Sequence, residues 1–133
     1  MSVFVMMLVF AAIITTYLQS SYRAEWSGFS LAAQAAGIQQ LEAAKSAVWD
    51  PLQTPVMDQI SQLPTVTAVL LDLPVTSTNY IYATNYTTIT LLTNSALTTA
   101  SNYLVTVTTV WPFIWKNQTV YYSNTLAAYY APD

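Results

Sequence analysis

The stretch Met1–Leu18 reads MSVFVMMLVFAAIITTYL and contains no charged residue; the first charge of the chain is Arg23. A membrane-spanning helix needs about 20 predominantly apolar residues, and this stretch is long enough to qualify. It predicts a helix that is apolar around its whole circumference. Such a helix has to be enclosed on every side, by lipid or by other protein helices.

Two other interpretations of this stretch are weaker. A secretory signal peptide places positive charge before its apolar run and a small-residue cleavage site after it. Here no Lys or Arg precedes the run, and helix-like sequence continues after Gln19-Ser20-Ser21. A buried core helix is the other interpretation, but a core this apolar needs partners that a small domain can hardly provide.

The helical pattern continues beyond the apolar run. Apolar or small residues recur in steps of three and four, which places them on one helix face. They are Tyr22, Trp26, Phe29, Ala33, Gly37, Leu41, Ala44 and Val48. Pro51 disfavours the helical conformation of the residue before it. We therefore predict one helix over residues 1–49, with an apolar first half and an amphipathic second half.

The composition is unusually poor in charge. The 133 residues are 54% hydrophobic and 7% charged, with a net charge of −3, whereas a soluble domain has roughly 25% charged residues. A lone soluble monomer of this kind would resist aggregation poorly, so lipid, neighbouring copies or attached sugar must supply the missing polarity. The basic residues Arg23, Lys45 and Lys116 are scattered singly, which excludes a nucleic-acid-binding patch.

The second half of the chain is strand-like. Residues 50–64 carry three prolines and predict a connecting segment. Residues 65–133 are rich in Thr, Tyr, Val and Asn and predict a β-rich outer head. The expected strands are Val66–Leu71, Tyr80–Ala83, Thr87–Leu92, Tyr103–Val110, Phe113–Trp115 and Thr119–Tyr122. The predicted fold class is α+β, a long N-terminal helix followed by a small antiparallel, Ig-like β-sandwich.

The residue composition gives little support for a catalytic site. The chain has no Cys and no His, and no two of its six carboxylates form a close pair in sequence. A metal site of thiolate and imidazole ligands is therefore excluded. Asp50, Asp58 and Asp72 could form a cation site if the connecting segment folded back, but lone Asp residues are more often caps and turn residues. We predict no enzyme activity, no cofactor and no metal.

Two triplets match the N-glycosylation acceptor, Asn85-Tyr86-Thr87 and Asn117-Gln118-Thr119. Sugar on Asn85 or Asn117 would replace the hydration that the charge-poor head lacks.

A group of aromatic residues allows a second surface function. Trp111, Phe113, Trp115, Tyr121 and Tyr122 could form a carbohydrate-binding face, although filling the sheet core and subunit contacts is the more ordinary role.

The whole architecture resembles a mature archaeal type IV pilin: a charge-free helix that becomes amphipathic, then a Thr-rich head with Asn-X-Thr acceptors and no Cys. The resemblance covers the full chain and rests on no sequence motif. Bacterial type IV pilins usually carry Glu at the fifth mature position, whereas this chain has Val5. In the family a basic leader is removed by a peptidase; none is visible here, as expected of a processed chain.

The resemblance implies that apolar helices form a filament core, that β heads coat it, and that the subunit resides in the membrane before assembly. The expected partners are many copies of the same chain, in an extracellular cell-surface filament that serves adhesion. The assembly-core residues would be Val3, Phe4, Val5, Leu8, Val9, Phe10, Ile13, Ile14, Tyr17 and Leu18. Two alternatives remain: a capsid or envelope protein of an archaeal virus, and a bitopic membrane protein with a small outer domain.

Overall fold

The computed structural model describes residues 2–72, 80–93, 101–116 and 118–132. One helix comes first, α1 (Ser2–Lys45), followed by two short strands, β1 (Trp49–Asp50) and β2 (Met57–Asp58). The longer strands are β3 (Val66–Asp72), β4 (Ile81–Thr93), β5 (Ser101–Trp115) and β6 (Gln118–Tyr130). Strands β1 and β2 pair with each other, and the other strands form an antiparallel sheet in the order β3-β4-β5-β6.

The α+β layout and the antiparallel pairing are confirmed, but the described residues of the head form one two-stranded and one four-stranded sheet rather than the expected Ig-like sandwich. Its four-stranded sheet is covered on one face by the second half of α1. The inner face is apolar at Val105 and Val107, which are fully buried, while Thr106 and Thr108 lie on the outer face. The amphipathic helix supplies the apolar cover that a second sheet would otherwise provide.

The strands are longer than the sequence predicted. Strand β4 joins two expected strands into one, and β5 runs without interruption through Pro112. Pairing between β4 and β5 ends at Val110, so β6 is the only described neighbour of β5 beyond that residue. Pro112 is tolerated because no described strand pairs with β5 on that side, so its missing N–H removes no hydrogen bond from the sheet.

The helical stripe predicted from the sequence is the face that packs on the sheet. Phe29 and Ala33 join Ala83, Trp111 and Phe113 in one buried cluster. Ala44 belongs to a second cluster with Trp49, Ile60, Tyr103, Val105 and Val107, against which Leu41 packs. The second half of α1 and the sheet therefore share two buried clusters.

The helix ends earlier than predicted. It stops at Lys45 rather than at residue 49, and Trp49 instead lies in β1. The Trp49 ring is 4% exposed and stands 4.4 Å from the Tyr103 ring. Bringing this large side chain into the core requires the chain to leave the helix before it reaches Pro51. The segment 50–64 then folds back through the β1–β2 pair.

A glycine permits the closest approach between helix and sheet. A Cβ atom added to Gly37 would lie 2.9 Å from Thr109 Oγ1 and 3.2 Å from Leu126 Cδ1. The Thr109 hydroxyl cannot easily move, because it donates a 2.7 Å hydrogen bond to Asn85 Oδ1. Gly37 is thus required by packing, even though glycine costs a helix about 1 kcal/mol relative to alanine.

We expect Gly37→Ala to lower the free energy of unfolding by about 1–2 kcal/mol, because overpacking outweighs the gain in helix propensity. Gly28→Ala is the matched control, since a Cβ there meets nothing within 4 Å, and it should raise stability by up to about 1 kcal/mol. Thermal unfolding of the detergent-solubilised chain measures both. Equal shifts would show that Gly37 has no packing role.

Candidate functional surface on the apolar helix

Most of the first half of α1 extends beyond the head. Every residue from 3 to 28 is exposed. The predicted assembly-core side chains range from 49% exposed at Leu18 to 73% at Tyr17. They lie on all sides of the helix, so the structure presents a continuous apolar cylinder that the described parts of the chain do not cover.

Aromatic pairs mark the point at which the head begins to cover the helix. Tyr22 contacts Trp115 at 5.0 Å between ring centroids, and Trp26 contacts Tyr122 at 5.7 Å. A groove of about 260 Å³ opens beside these pairs, with Arg23 on its wall. The residues before Tyr22 therefore extend about 30 Å beyond the head, at 1.5 Å per residue.

Hydroxyl groups within the apolar cylinder are satisfied by the helix itself. Thr15 Oγ1 donates to the carbonyls of Ala11 and Ala12, at 3.0 and 2.9 Å. Thr16 Oγ1 donates to the Ala12 carbonyl at 2.8 Å. An unpaired hydroxyl in an apolar environment costs several kcal/mol. These local bonds let both threonines enter lipid or a helix bundle without that cost.

The helix is long and apolar enough to cross a membrane. Its most apolar 18-residue window has a mean hydropathy of 2.0, and none of that window is buried within the protein. A core helix of a soluble domain would be largely enclosed by its own chain. This segment therefore needs an environment outside the chain, and membrane embedding is compatible with its length and composition.

A polar cluster lies where the helix and the sheet are closest. The Asn85 side chain is 1% exposed; its Nδ2 donates to the Ala36 carbonyl at 3.2 Å, and its Oδ1 accepts from Thr109. This position argues against the predicted glycosylation at Asn85, because the amide nitrogen that would carry the sugar is buried and bonded to the helix. Asn117, the other predicted acceptor, lies outside the described residues.

We expect any N-linked glycan on protein from its native source to be on Asn117 and none on Asn85. Mass spectrometry of proteolytic peptides that separate the two sites measures their occupancy. Asn117→Gln should reduce the intact mass by one whole glycan, whereas Asn85→Gln should leave the glycan mass in place. Glycan on Asn85 would contradict the buried position of its amide.

A second polar contact links the β1–β2 segment to the sheet. The Tyr103 hydroxyl donates to Asp58 Oδ2 at 2.7 Å. Burial acts to raise the pKa of the Asp58 carboxyl, but hydrogen bonds from Ser61, Tyr103 and Ile60 outweigh it, so that the pKa lies below its usual value. The same contact, reinforced by burial and by the Asp58 charge, raises the pKa of Tyr103 to about 12.

We expect Tyr103→Phe to lower the free energy of unfolding at neutral pH by about 1.5–3 kcal/mol, the usual range for a hydrogen bond to a charged group. A lowered Asp58 pKa stabilises the fold above the unfolded value of 3.8 and ceases to do so as pH falls through the folded value. The difference between wild type and variant should therefore shrink below about pH 4.

Denaturant unfolding in detergent micelles between pH 7 and pH 3 measures this difference. Tyr129→Phe is the control, because Tyr129 is 72% exposed on the outer face and should change stability little. A difference that is constant over the whole pH range would show that the Tyr103 hydroxyl does not act through the Asp58 carboxylate.

The acidic residues have structural roles where the structure describes their contacts. Asp50 Oδ1 accepts from the Leu52 amide at 2.9 Å, and Asp58 Oδ1 accepts from the Ser61 amide at 3.0 Å. Both are turn contacts of the expected kind. Within the described ranges, no three His, Cys, Asp or Glu residues are grouped closely enough to hold a metal ion.

The aromatic residues do not form one carbohydrate-binding face. Trp111 and Phe113 are each 3% exposed and pack beneath the helix. Trp115 and Tyr122 contact helix residues on this same face, whereas Tyr121 is exposed on the opposite face of the sheet. Apart from Tyr121, the predicted aromatic group therefore joins the helix to the sheet, which is the core role that the sequence favoured.

Comparisons of the chain with protein-family models, with curated proteins and with solved structures found no match. The structural features of the chain itself therefore carry the functional argument.

Proposed function

We propose that this chain is the structural subunit of an extracellular, type IV pilus-like filament that assembles through a core of its N-terminal helices. The observation that carries the proposal is the change of environment along α1. The side chains over residues 3–28 are exposed, with Tyr22 and Trp26 making the first ring contacts to the sheet, and the helix is buried against the sheet from Phe29 onward. A polymer whose helices pack together covers the first part and leaves the head outside.

Hydrophobic burial supplies the driving force for this assembly. Fully burying a Val, Leu, Ile or Phe side chain contributes about 1.5–3 kcal/mol. The exposed apolar residues between Val3 and Leu18 together offer on the order of 10 kcal/mol or more per chain before ordering costs. Before assembly the same apolar surface needs cover, which lipid can supply. This supports a precursor that resides in the membrane.

The outer face of the sheet supports a surface-attachment role for the filament. Its positions on β4, β5 and β6 are occupied largely by Thr, Ser and Tyr, including Thr88, Thr106 and Tyr121. Thr108 and Thr125 share a hydroxyl hydrogen bond of 3.1 Å on this face. A hydroxyl-rich face without charges offers hydrogen bonds and aromatic contacts to another surface, and it avoids repulsion between like charges.

Two other functions use the same exposed helix. A bitopic membrane protein would keep residues 3–18 in lipid permanently, as single chains. A capsid or envelope protein of a virus would pack many copies into a closed particle. The head covers only the second half of α1 and the helix extends from it in one direction, which fits the radial core-and-coat arrangement of a filament.

We expect Val9→Asp to abolish filament formation, because burying one unpaired charge costs several kcal/mol per subunit. Val9→Leu is the matched control: it keeps the position apolar and should leave assembly intact. Negative-stain microscopy of material from cells that produce each variant gives the result directly.

The possible outcomes separate the three functions. Filaments from wild type and Val9→Leu, but none from Val9→Asp, support the proposal. Wild-type chains that remain single in the membrane indicate the bitopic protein, and closed particles indicate the viral protein. Normal filaments from Val9→Asp would show that the helix core does not hold the polymer together.

A further inference from the structure

The direction of the strands relative to the helix sets how neighbouring heads can meet. Tyr22 contacts Trp115 near the end of β5, Gly37 lies over Thr109, and Ala44 packs in the same cluster as Tyr103 near the start of β5. The helix therefore runs antiparallel to β5 along its length. In a filament with parallel helices, the strands of all heads lie roughly along the filament axis, and their edges face sideways toward adjacent heads.

The number of strands makes the two edges of the sheet complementary. Each neighbouring pair in the order β3-β4-β5-β6 is antiparallel, so β3 and β6, the first and last strands, are also antiparallel to each other. When identically oriented copies stand side by side, β6 of one copy runs antiparallel to β3 of the next. Antiparallel β6–β6 pairing would instead require one copy to be inverted, with its helix pointing the other way.

Strand β6 lacks the features that usually prevent pairing, and β3 carries them only at its C-terminal end. Natural edge strands are protected by charged residues, proline, bulges or short length. Strand β6 has no charged residue and no proline over Gln118–Tyr130, and it pairs with β5 without a register shift. Strand β3 is regular from Val66 to Leu70, and its single charge, Asp72, comes after the shift in register.

The backbone of β3 offers free hydrogen-bonding groups along its open side. The Thr65 carbonyl accepts from the Thr87 amide at 2.7 Å, so Thr65 directs its backbone groups toward β4. Because alternate residues of an antiparallel strand face opposite neighbours, Val66, Ala68 and Leu70 direct theirs away from β4. Nothing in the described part of the chain pairs with that side of β3, or with the outer side of β6.

We propose that β3 of one subunit pairs with β6 of the next, which joins the heads into a continuous antiparallel sheet wrapped around the helix core. The partner is a second copy of this chain in the same orientation. This inference rests on the proposed filament and specifies its lateral contact. Strand β3 limits the new ladder to about five residues, Val66–Leu70, before the register shift.

Disulfide cross-linking tests the contact, because the natural chain contains no Cys. Ala68 is exposed on the outer face of β3; Ser123, Thr125 and Ala127 are exposed on the same face of β6. Ala68→Cys is combined in turn with Ser123→Cys, Thr125→Cys or Ala127→Cys, which samples the possible registers. Purified filaments are oxidised and then separated on gels with and without reductant.

We expect at least one double variant to give a ladder of dimers, trimers and higher multimers that collapses to monomer on reduction. The single variants should remain monomeric. Ala68→Cys with Thr88→Cys is the control, because Thr88 is exposed on the same face but lies in β4, inside the sheet. It should give no ladder.

The outcomes distinguish this inference from the proposed function. Filaments without a ladder in any double variant would overturn the β3–β6 contact and leave the filament proposal standing. Dimers from a single β6 variant would indicate β6–β6 pairing and would also overturn it. Failure of the natural chain to form filaments at all would overturn both.

Discussion

The helix α1 has to fit two environments, one outside its own chain and one against its own sheet. The rest of the structure depends on how it does so. Up to Leu18 the helix is apolar on all sides and exposed; Tyr22 makes its first ring contact with the sheet, and from Phe29 its stripe of aromatic and small residues is buried there. A sheet that covered the whole helix would leave no surface for assembly. A helix without the stripe would leave the inner face of the sheet exposed.

Small residues determine how closely the helix and the sheet approach. Ala33, Gly37 and Ala44 bring the helix backbone near the strands, which is why Asn85 can reach the Ala36 carbonyl across the interface. At the N-terminal end of this interface the contact passes to large rings, beginning with Phe29 and Phe113 at 6.1 Å. The interface thus widens toward the apolar helix, where the aromatic groove opens.

The sequence predicted the features that follow a strong periodicity. The stripe from Tyr22 to Ala44 has the helical repeat and was assigned to the correct helix face, and the alternating stretch around Val105 and Val107 was predicted as a strand. The end of the helix was not, because Pro51 is a weaker determinant than the burial of Trp49. Nor did the sequence reveal that the helix would replace a second sheet, since an amphipathic helix and a second sheet can each supply an apolar face.

The glycosylation triplets show a different limit. Asn85-Tyr86-Thr87 satisfies the local acceptor pattern, but side chains alternate along β4 and this register directs Asn85 inward while Tyr86 points outward. A one-residue shift in register would have exposed the asparagine. The triplet itself does not determine the register of β4. The register depends on which face of the strand packs against the helix at Gly37, beside Thr109.

Low charge, an exposed apolar helix and unprotected edges would each be a liability in a soluble monomer. They are compatible with one another if the chain is held in lipid until it polymerises, because lipid keeps the helix covered and assembly then removes helix and edges from solvent together. Such a chain gains little from surface charge, which would have to be desolvated at every contact between copies. On this view the 7% charged content follows from how much of the surface becomes an interface.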